Sequence, residues 1–391
     1  MKMWELKTTR TALRIYVASI MKRMEKEHLF NGPFATIYSS SMQFFRATVL
    51  YFLLPFLAAA DSGQTGLSET QQHFRNLIAA RLRRAEKENA AVVVGDHGWL
   101  CLAANLRFLS LEKFWGDAAS KVNRSRQPQW SDPIPAIVDF NQQLEQRGIR
   151  LLLVPVPPKA AIYPDEIFPE SDLHGADSAP FLHRFYDELR SNGIEVLDLT
   201  QLFVANRANE HGTMFCKTDS HWSGIGCVLA AQAIAEKIRA RLASQPSRKD
   251  YGSEWKKVFI EGDLQKLLGK RQTDTREELS VRTVMEKNTG APVTADANSS
   301  VLLLGDSHVL VFHDFLAERA GLLDQLTFEL GFAPDVIGTR GSAATAVRIN
   351  LYRHILNHPS YLTNKKVIVW CFAAHEFTET EQGWVPEPVA K

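Results

Sequence analysis

The chain has 391 residues, 45% of them hydrophobic, enough for one large α/β domain or two modest ones. A net charge of +1 lacks the basic excess that nucleic-acid binding needs, so no nucleic-acid partner is expected. The charge is uneven: residues 1–46 hold eight Lys/Arg against three acids, a surplus of +5, so the remainder carries −4, as in an acidic body behind a basic leader.

Residues 47–60, ATVLYFLLPFLAAA, are the one strongly apolar leader, and they are short for a membrane span. Read from Met42, Arg46 serves as n-region, 47–57 as h-region and Ala58-Ala59-Ala60 as a cleavage site. This predicts export, with 1–60 as a basic extension plus signal peptide and a mature domain over 61–391. An uncleaved anchor in the inner membrane, its basic tail cytoplasmic, is the alternative.

Residues 71–89 favour a helix. Val92-Val93-Val94-Gly95-Asp96-His97-Gly98-Trp99-Leu100 reads as strand, tight turn, strand, a structural hairpin before a ligand site. The pattern predicts a helix over 132–147 with Gly148 as its C-cap, then a buried strand at 150–155. Lys159 follows the stiff Val156-Pro157-Pro158 exit of that strand. It suits an anionic polymer at a strand end, and a solvated surface lysine fits the spacing equally. A helix over 179–191 and a strand over 194–199 continue a β–α alternation, which implies a parallel sheet.

Lys217-Thr218-Asp219-Ser220-His221-Trp222-Ser223 comes next, with Ser223 able to cap a helix over 224–242. Asp219 and His221 are two apart, so in extended backbone they point to the same side. Residues 245–300 are polar and low in strand signal, as in an insertion or long connection, with Glu261 to Leu268 its one ordered-looking piece. Val301-Leu302-Leu303-Leu304-Gly305 then reads as a buried strand, with a helix expected over 309–320. Further on come a strand near 326–330, a loop at 331–341, a helix at 342–356 and a last strand at 366–372.

Gly305-Asp306-Ser307 therefore stands at a strand-to-helix turn, at the carboxyl end of a strand, where open α/β sheets bind ligands. Backbone N–H groups at a helix start face whatever Ser307 attacks and suit a developing oxyanion. A serine nucleophile needs a base, and an aspartate that orients it; His221 and Asp219 supply that pair. Metal chemistry is disfavoured, since His221 and Asp219 lack an obvious third ligand and Cys101, Cys216, Cys227 and Cys371 form no CxxC. Cys101 and Cys371 lie in apolar surroundings as buried thiols. Four cysteines allow three disulfide pairings, so none is assigned.

Five landmarks in order, Gly95 to Leu100, Val154-Pro155-Val156-Pro157-Pro158-Lys159, Thr218-Asp219-Ser220-His221-Trp222, Gly262-Asp263-Leu264 and Gly305-Asp306-Ser307, resemble the alginate O-acetyltransferase branch of the SGNH hydrolase superfamily. The Thr-Asp-x-His-Trp element preceding Gly-Asp-Ser reverses the order of ordinary SGNH esterases, as this branch does. The resemblance implies an α/β three-layer sandwich with a central, mostly parallel sheet and permuted motif order. It further implies Ser307 as nucleophile, His221 as general base and Asp219 as its orienting partner, moving acetyl through a seryl intermediate to a hydroxyl of an alginate-like polysaccharide. No coenzyme A site or other cofactor is visible, so the implied acetyl donor is a membrane-bound O-acyltransferase partner.

No Gly-x-Asn-Asp block supplies the oxyanion asparagine usual in the wider superfamily. The Ser307 N–H is one donor; Arg340 and Gly341, at another strand-end loop, are candidates for the second, with a salt-bridged surface role as the alternative for Arg340. No long extension follows the last strand, so a carbohydrate-binding module is not expected. An esterase with the same triad and a non-catalytic polysaccharide-binding subunit are the competing functions.

Overall fold

The computed structural model describes residues 66–173, 175–242, 249–269, 276–341 and 344–389. The leader, with its signal-peptide, anchor and cleavage readings, lies outside them. No helix among the described residues is long and apolar enough to cross a membrane.

Helix α1 (Glu69–Lys87) opens on a capping box at Ser68 and Gln71 and buries Phe74, Ile78 and Leu82, the four-residue spacing of one helix face. Strands β1 (Val92–Val94) and β2 (Leu100–Leu102) form the expected antiparallel hairpin, turned by His97 and Gly98, both with positive φ. After α2 (Ala103–Ser110) comes α3 (Pro133–Glu145), N-capped by Asp132 and starting on a proline, where the missing N–H costs nothing. Strand β3 (Arg150–Val156), α4 (Pro180–Ser191), β4 (Glu195–Val196) and α5 (Gly224–Arg239) follow, the last capped by Ser223.

The chain continues through β5 (Tyr251–Ile260), the short α6 (Asp263–Leu267) and β6 (Glu277–Glu286). Then come β7 (Val301–Gly305), α7 (Ser307–Leu310), α8 (Leu322–Leu330), β8 (Asp335–Gly338), α9 (Ala346–Asn357) and β9 (Val367–Ala373).

Five strands make one parallel sheet in the order β4-β3-β9-β7-β8. Its middle strands β9 and β7 are buried along their whole length, as expected when helices cover both faces of a parallel sheet. Helix α3 packs on β3, α9 against β7 and β8, and α5 against α8. The α/β class with its parallel sheet is therefore as the sequence implied.

Four expectations fail. The loop expected over 331–341 carries strand β8, paired parallel with β7. Residues 245–300 are not a strand-poor connection: β5 and β6 pair antiparallel over ten positions. Many of the charges that masked them are exposed, as in the Lys257–Glu278 pair, whereas Arg282 of β6 is buried against Gln325 and Glu329 of α8. Residues 326–330 belong to helix α8, not a strand. Nearly every side of that helix is buried, so no amphipathic stripe betrays its period. The helix expected over 309–320 ends at Leu310. Phe312, Leu316 and Arg319 all take positive φ, and Arg319 is tied to the ribbon by accepting the Val284 N–H.

All four cysteines are buried and unpaired, and burial pushes the Cys101 thiol up to about 11.

Candidate active site

Gly305 ends β7 because nothing larger fits: a Cβ there would lie 1.9 Å from the Cys371 carbonyl oxygen. The chain turns at Asp306. Its Oδ1 accepts the His308 N–H at 2.8 Å and its Oδ2 the Ala373 N–H at 2.7 Å, which staples the turn to β9. Burial opposes the charge of Asp306, but His308 and these N–H groups hold its carboxyl below the ordinary value. Ser307 starts α7, so its own N–H has no intrahelical acceptor.

Across the pocket, the Ser307 Oγ–H donates to His221 Nε2 at 2.7 Å, and His221 Nδ1–H donates to Asp219 Oδ1 at 2.6 Å. This tautomer is the one that leaves Nε2 free to accept. Asp219 Oδ1 also accepts the His221 N–H, at 3.0 Å, and Oδ2 accepts the Asp263 N–H at 2.9 Å. Burial pushes the Asp219 carboxyl up, yet His221 and the two N–H groups outweigh it and leave it well below the usual carboxylate range. Burial likewise pulls His221 down, but Asp219 more than compensates and its pKa is raised. Sequence spacing had brought Asp219 and His221 together; the fold adds Ser307 to them.

The other landmarks converge on the same loop. The Leu100 N–H of the hairpin donates to the Lys217 carbonyl at 2.8 Å. Gly262 sits so close to Thr218 that a Cβ would lie 2.0 Å from its carbonyl oxygen. Glu277 accepts from the N–H groups of Lys217 and Thr218 and from the Thr218 hydroxyl. Lys159 corrects both readings made of it: it is neither solvated nor open to a polymer. It is 1% exposed, and its ammonium donates to the carbonyls of Leu100 at 2.8 Å and Asp219 at 2.6 Å. Burial lowers its pKa. Its work is to lock the hairpin to the Asp219 loop.

The site lies in a pocket of about 560 Å³ lined by Val156, Ala373, Ser307 and Arg340, from the carboxyl ends of β3, β9, β7 and β8. Arg340 and Gly341 are exposed on its wall, and the Arg340 guanidinium rests 4.3 Å over the Phe315 ring. His375 also lines it, and burial pulls this imidazole down to about 4, so it stays neutral.

Asp263 is the residue that sequence reasoning left without a role. Besides steadying Asp219, it accepts the Ser220 N–H at 2.7 Å and the Ser220 hydroxyl at 2.5 Å. Its place in the Gly262-Asp263-Leu264 landmark was the available signal. Asp263 also supplies the third donor that a metal reading of Asp219 and His221 lacked, all within 4.8 Å of one another. The carboxylate oxygens of both aspartates are already engaged as hydrogen-bond acceptors, which suits an orienting role.

A serine, histidine and aspartate joined in one line at the strand ends of a parallel α/β sheet form the geometry of a serine acyl-transfer site, an arrangement that recurs on unrelated folds. The chain belongs to the family described as SGNH hydrolase-like domain, acetyltransferase AlgX, which matches residues 92–324. Two relatives named probable alginate O-acetylase AlgJ are similar to it. That of Pseudomonas aeruginosa is 32% identical over 150 residues, 38% of this chain and 33% of the relative. That of Pseudomonas putida is 27% identical over 221 residues, 56% of this chain and 52% of the relative. The chain thus spans about half the length, or less, of these curated relatives.

Among solved structures, the O-acetyltransferase domain of Pseudomonas putida AlgJ superposes with a TM-score of 0.56 at 20% identity, covering 74% of this chain and 94% of that domain. Pseudomonas aeruginosa AlgX superposes with a TM-score of 0.53 at 16% identity, covering 75% and 63%. These likenesses establish the shared fold.

Proposed function

We propose that this protein is a periplasmic polysaccharide O-acetyltransferase that carries acetyl on Ser307 to hydroxyls of an alginate-like polymer. The observation that supports it most is the unbroken Asp219–His221–Ser307 hydrogen-bond line opening into the pocket. The family description and the names of the AlgJ relatives support acetyl as the group moved and alginate as the acceptor.

His221 Nε2 takes the Ser307 proton as Oγ attacks the acetyl carbonyl of the donor. Asp219, kept ionised, holds the ring and stabilises the imidazolium. The Ser307 N–H is one donor to the oxyanion; the wall carrying Arg340 and Gly341 is where the second would come from. His221 returns the proton to the leaving group. It then deprotonates the acceptor hydroxyl, which attacks the acetyl-serine. The donor would be a membrane-bound O-acyltransferase partner, with the N-terminal segment as a means of inner-membrane attachment.

The test is intact-mass spectrometry of the full chain with an activated acetyl ester. Wild type should gain one acetyl and Ser307→Ala none, and oligomannuronate should then discharge the adduct onto sugar. Discharge by water alone would favour an esterase. A folded wild type that never acylates would move a polysaccharide-binding subunit to the front.

A further inference from the structure

Residues 311–320 carry three non-glycine positive φ values, Phe312 (64°), Leu316 (66°) and Arg319 (61°), in a stretch whose composition favours helix. Such conformations cost energy and persist where the surroundings impose them. Here they are imposed from several sides. The Phe312 N–H donates to the Phe315 carbonyl at 2.8 Å and the Ala320 N–H to the Phe312 carbonyl at 2.9 Å. Val284 of β6 holds Arg319.

The result is to set Phe315 on the candidate active site. Its ring meets His221 edge-on, centroids 5.6 Å apart, while Arg340 covers it from the end of β8 at 4.3 Å. Thr339, beside Arg340, is itself fixed by donating its N–H to Gly305 at 3.0 Å. Phe315, Leu316 and Arg340 all line the pocket around Ser307.

Resting on the acetyl-transfer reading above, we propose that Phe315, pinned by Arg340, is the water shield of the acetyl-enzyme and sets the partition between transfer and hydrolysis. Transfer forms a bond from the acceptor oxygen to the acetyl carbon and breaks the bond to Ser307 Oγ; the acceptor proton passes through His221 Nε2 to Oγ. Water makes the same exchange and yields acetate. His221 serves either acceptor, so the choice falls to what can stand beside it. An aromatic ring against the imidazole excludes a mobile water, while a sugar held by the rest of the pocket brings its own hydroxyl. Phe315 is a positioning and shielding residue that acts through the His221 ring it packs against.

The experiment loads the full chain with acetyl from an activated ester, then follows the adduct by intact mass with and without oligomannuronate, separating acetate from acetylated sugar. Phe315→Ala should acylate within about threefold of wild type and raise the hydrolysis-to-transfer ratio roughly tenfold, a barrier difference well within what one side chain controls. Phe315→Leu should stay near wild type, since it restores bulk. Leu316→Gly, which frees the ring without removing it, should raise the ratio by a smaller factor. An unchanged ratio in Phe315→Ala overturns the proposal. So does a parallel loss of acylation and hydrolysis, which would make the ring a support for the triad. If Phe315→Ala does not fold, Leu316→Gly decides by the same ratio. If wild type itself forms no adduct, the transfer reading fails instead, and this proposal with it.

Discussion

The tripeptide Asp-Ser-His occurs twice around the pocket, as Asp219-Ser220-His221 before α5 and as Asp306-Ser307-His308 after β7. Locally the two are near copies. In each, the aspartate Oδ1 accepts the N–H of the histidine two residues on and lies close to its Nδ1, at 2.6 Å in one and 3.1 Å in the other. The histidine rings lie 4.8 Å apart, tilted by 56° to one another. Their serines differ in fate. Ser220 is spoken for by Asp263, whereas Ser307 stands at a strand end with its hydroxyl on His221. Similar short-range geometry thus yields the proposed base from one copy and the proposed nucleophile from the other, and the choice is made by long-range contacts: α6 behind Asp219, β9 behind Asp306.

That division of labour can be broken one arm at a time. The largest effect belongs to His221→Gln, which removes the only imidazole joined to Ser307 Oγ among the described residues. Acylation should fall by about 10⁵-fold, measured as the rate of adduct formation. Asp219→Asn should cost roughly 10⁴-fold, because the amide can stabilise the wrong tautomer and cannot balance the imidazolium. Asp306→Ala attacks the other arm. It leaves the Ala373 N–H buried without its partner, at about 1–3 kcal/mol, read as a lower midpoint in urea. Acylation should fall less than in the Asp219 variant, since the turn shifts while the base survives. Equal losses in Asp219→Asn and Asp306→Ala would erase the distinction between the arms.

Gly262→Ala probes the support of the first arm. A Cβ 2.0 Å from the Thr218 carbonyl oxygen must push Asp263 off Asp219, and a displacement near 1 Å costs on the order of 10²-fold in acylation. Its adduct should form slowly but at full yield.

How far these arms could be seen in the sequence follows from the range of the contacts. Strand β7 was legible because its apolar run is buried and closed by a glycine. Asp219 and His221 were legible because their pairing is two residues long. Asp263 reaches Asp219 from 44 residues away, so its role needs the fold. Lys159 defied its residue type: a lysine beside two prolines reads as surface, and only the carbonyls of Leu100 and Asp219 explain its burial. The stretch after Leu310 failed for the same reason, since its helix-favouring composition is overridden by contacts with β6 and with Phe315's neighbours.

The pH profile separates the arms next. The raised pKa of His221 means that its neutral, proton-accepting form dominates only above a value higher than the ordinary histidine pKa of about 6.5. Acylation should therefore climb tenfold per pH unit on the acid side and level off above that raised pKa. The stability contributed by the raised His221 pKa runs the other way. It is fully present below the unfolded-state pKa and is lost as pH rises through the folded one. Asp219→Asn removes the cause of the rise, so its residual activity should level off at lower pH.

His308→Gln should have the smallest effect, under about fivefold in acylation. His308 is as buried as His221, sits next to the nucleophile in sequence and bonds to an aspartate in the same way, so by local criteria it is the equal candidate for base. Its ring packs edge-on to Trp222, centroids 5.3 Å apart, and its contacts run to Asp306, not to Ser307 Oγ. Glutamine keeps much of the volume and its N–H still caps Asp306, so the turn holds. A loss approaching that of His221→Gln would mean that the second Asp-Ser-His moves protons as well, with the two histidines acting as one unit instead of one as base and one as buttress. A near-normal adduct rate in His308→Gln beside a dead His221→Gln would tie the chemistry to the arm that α6 holds.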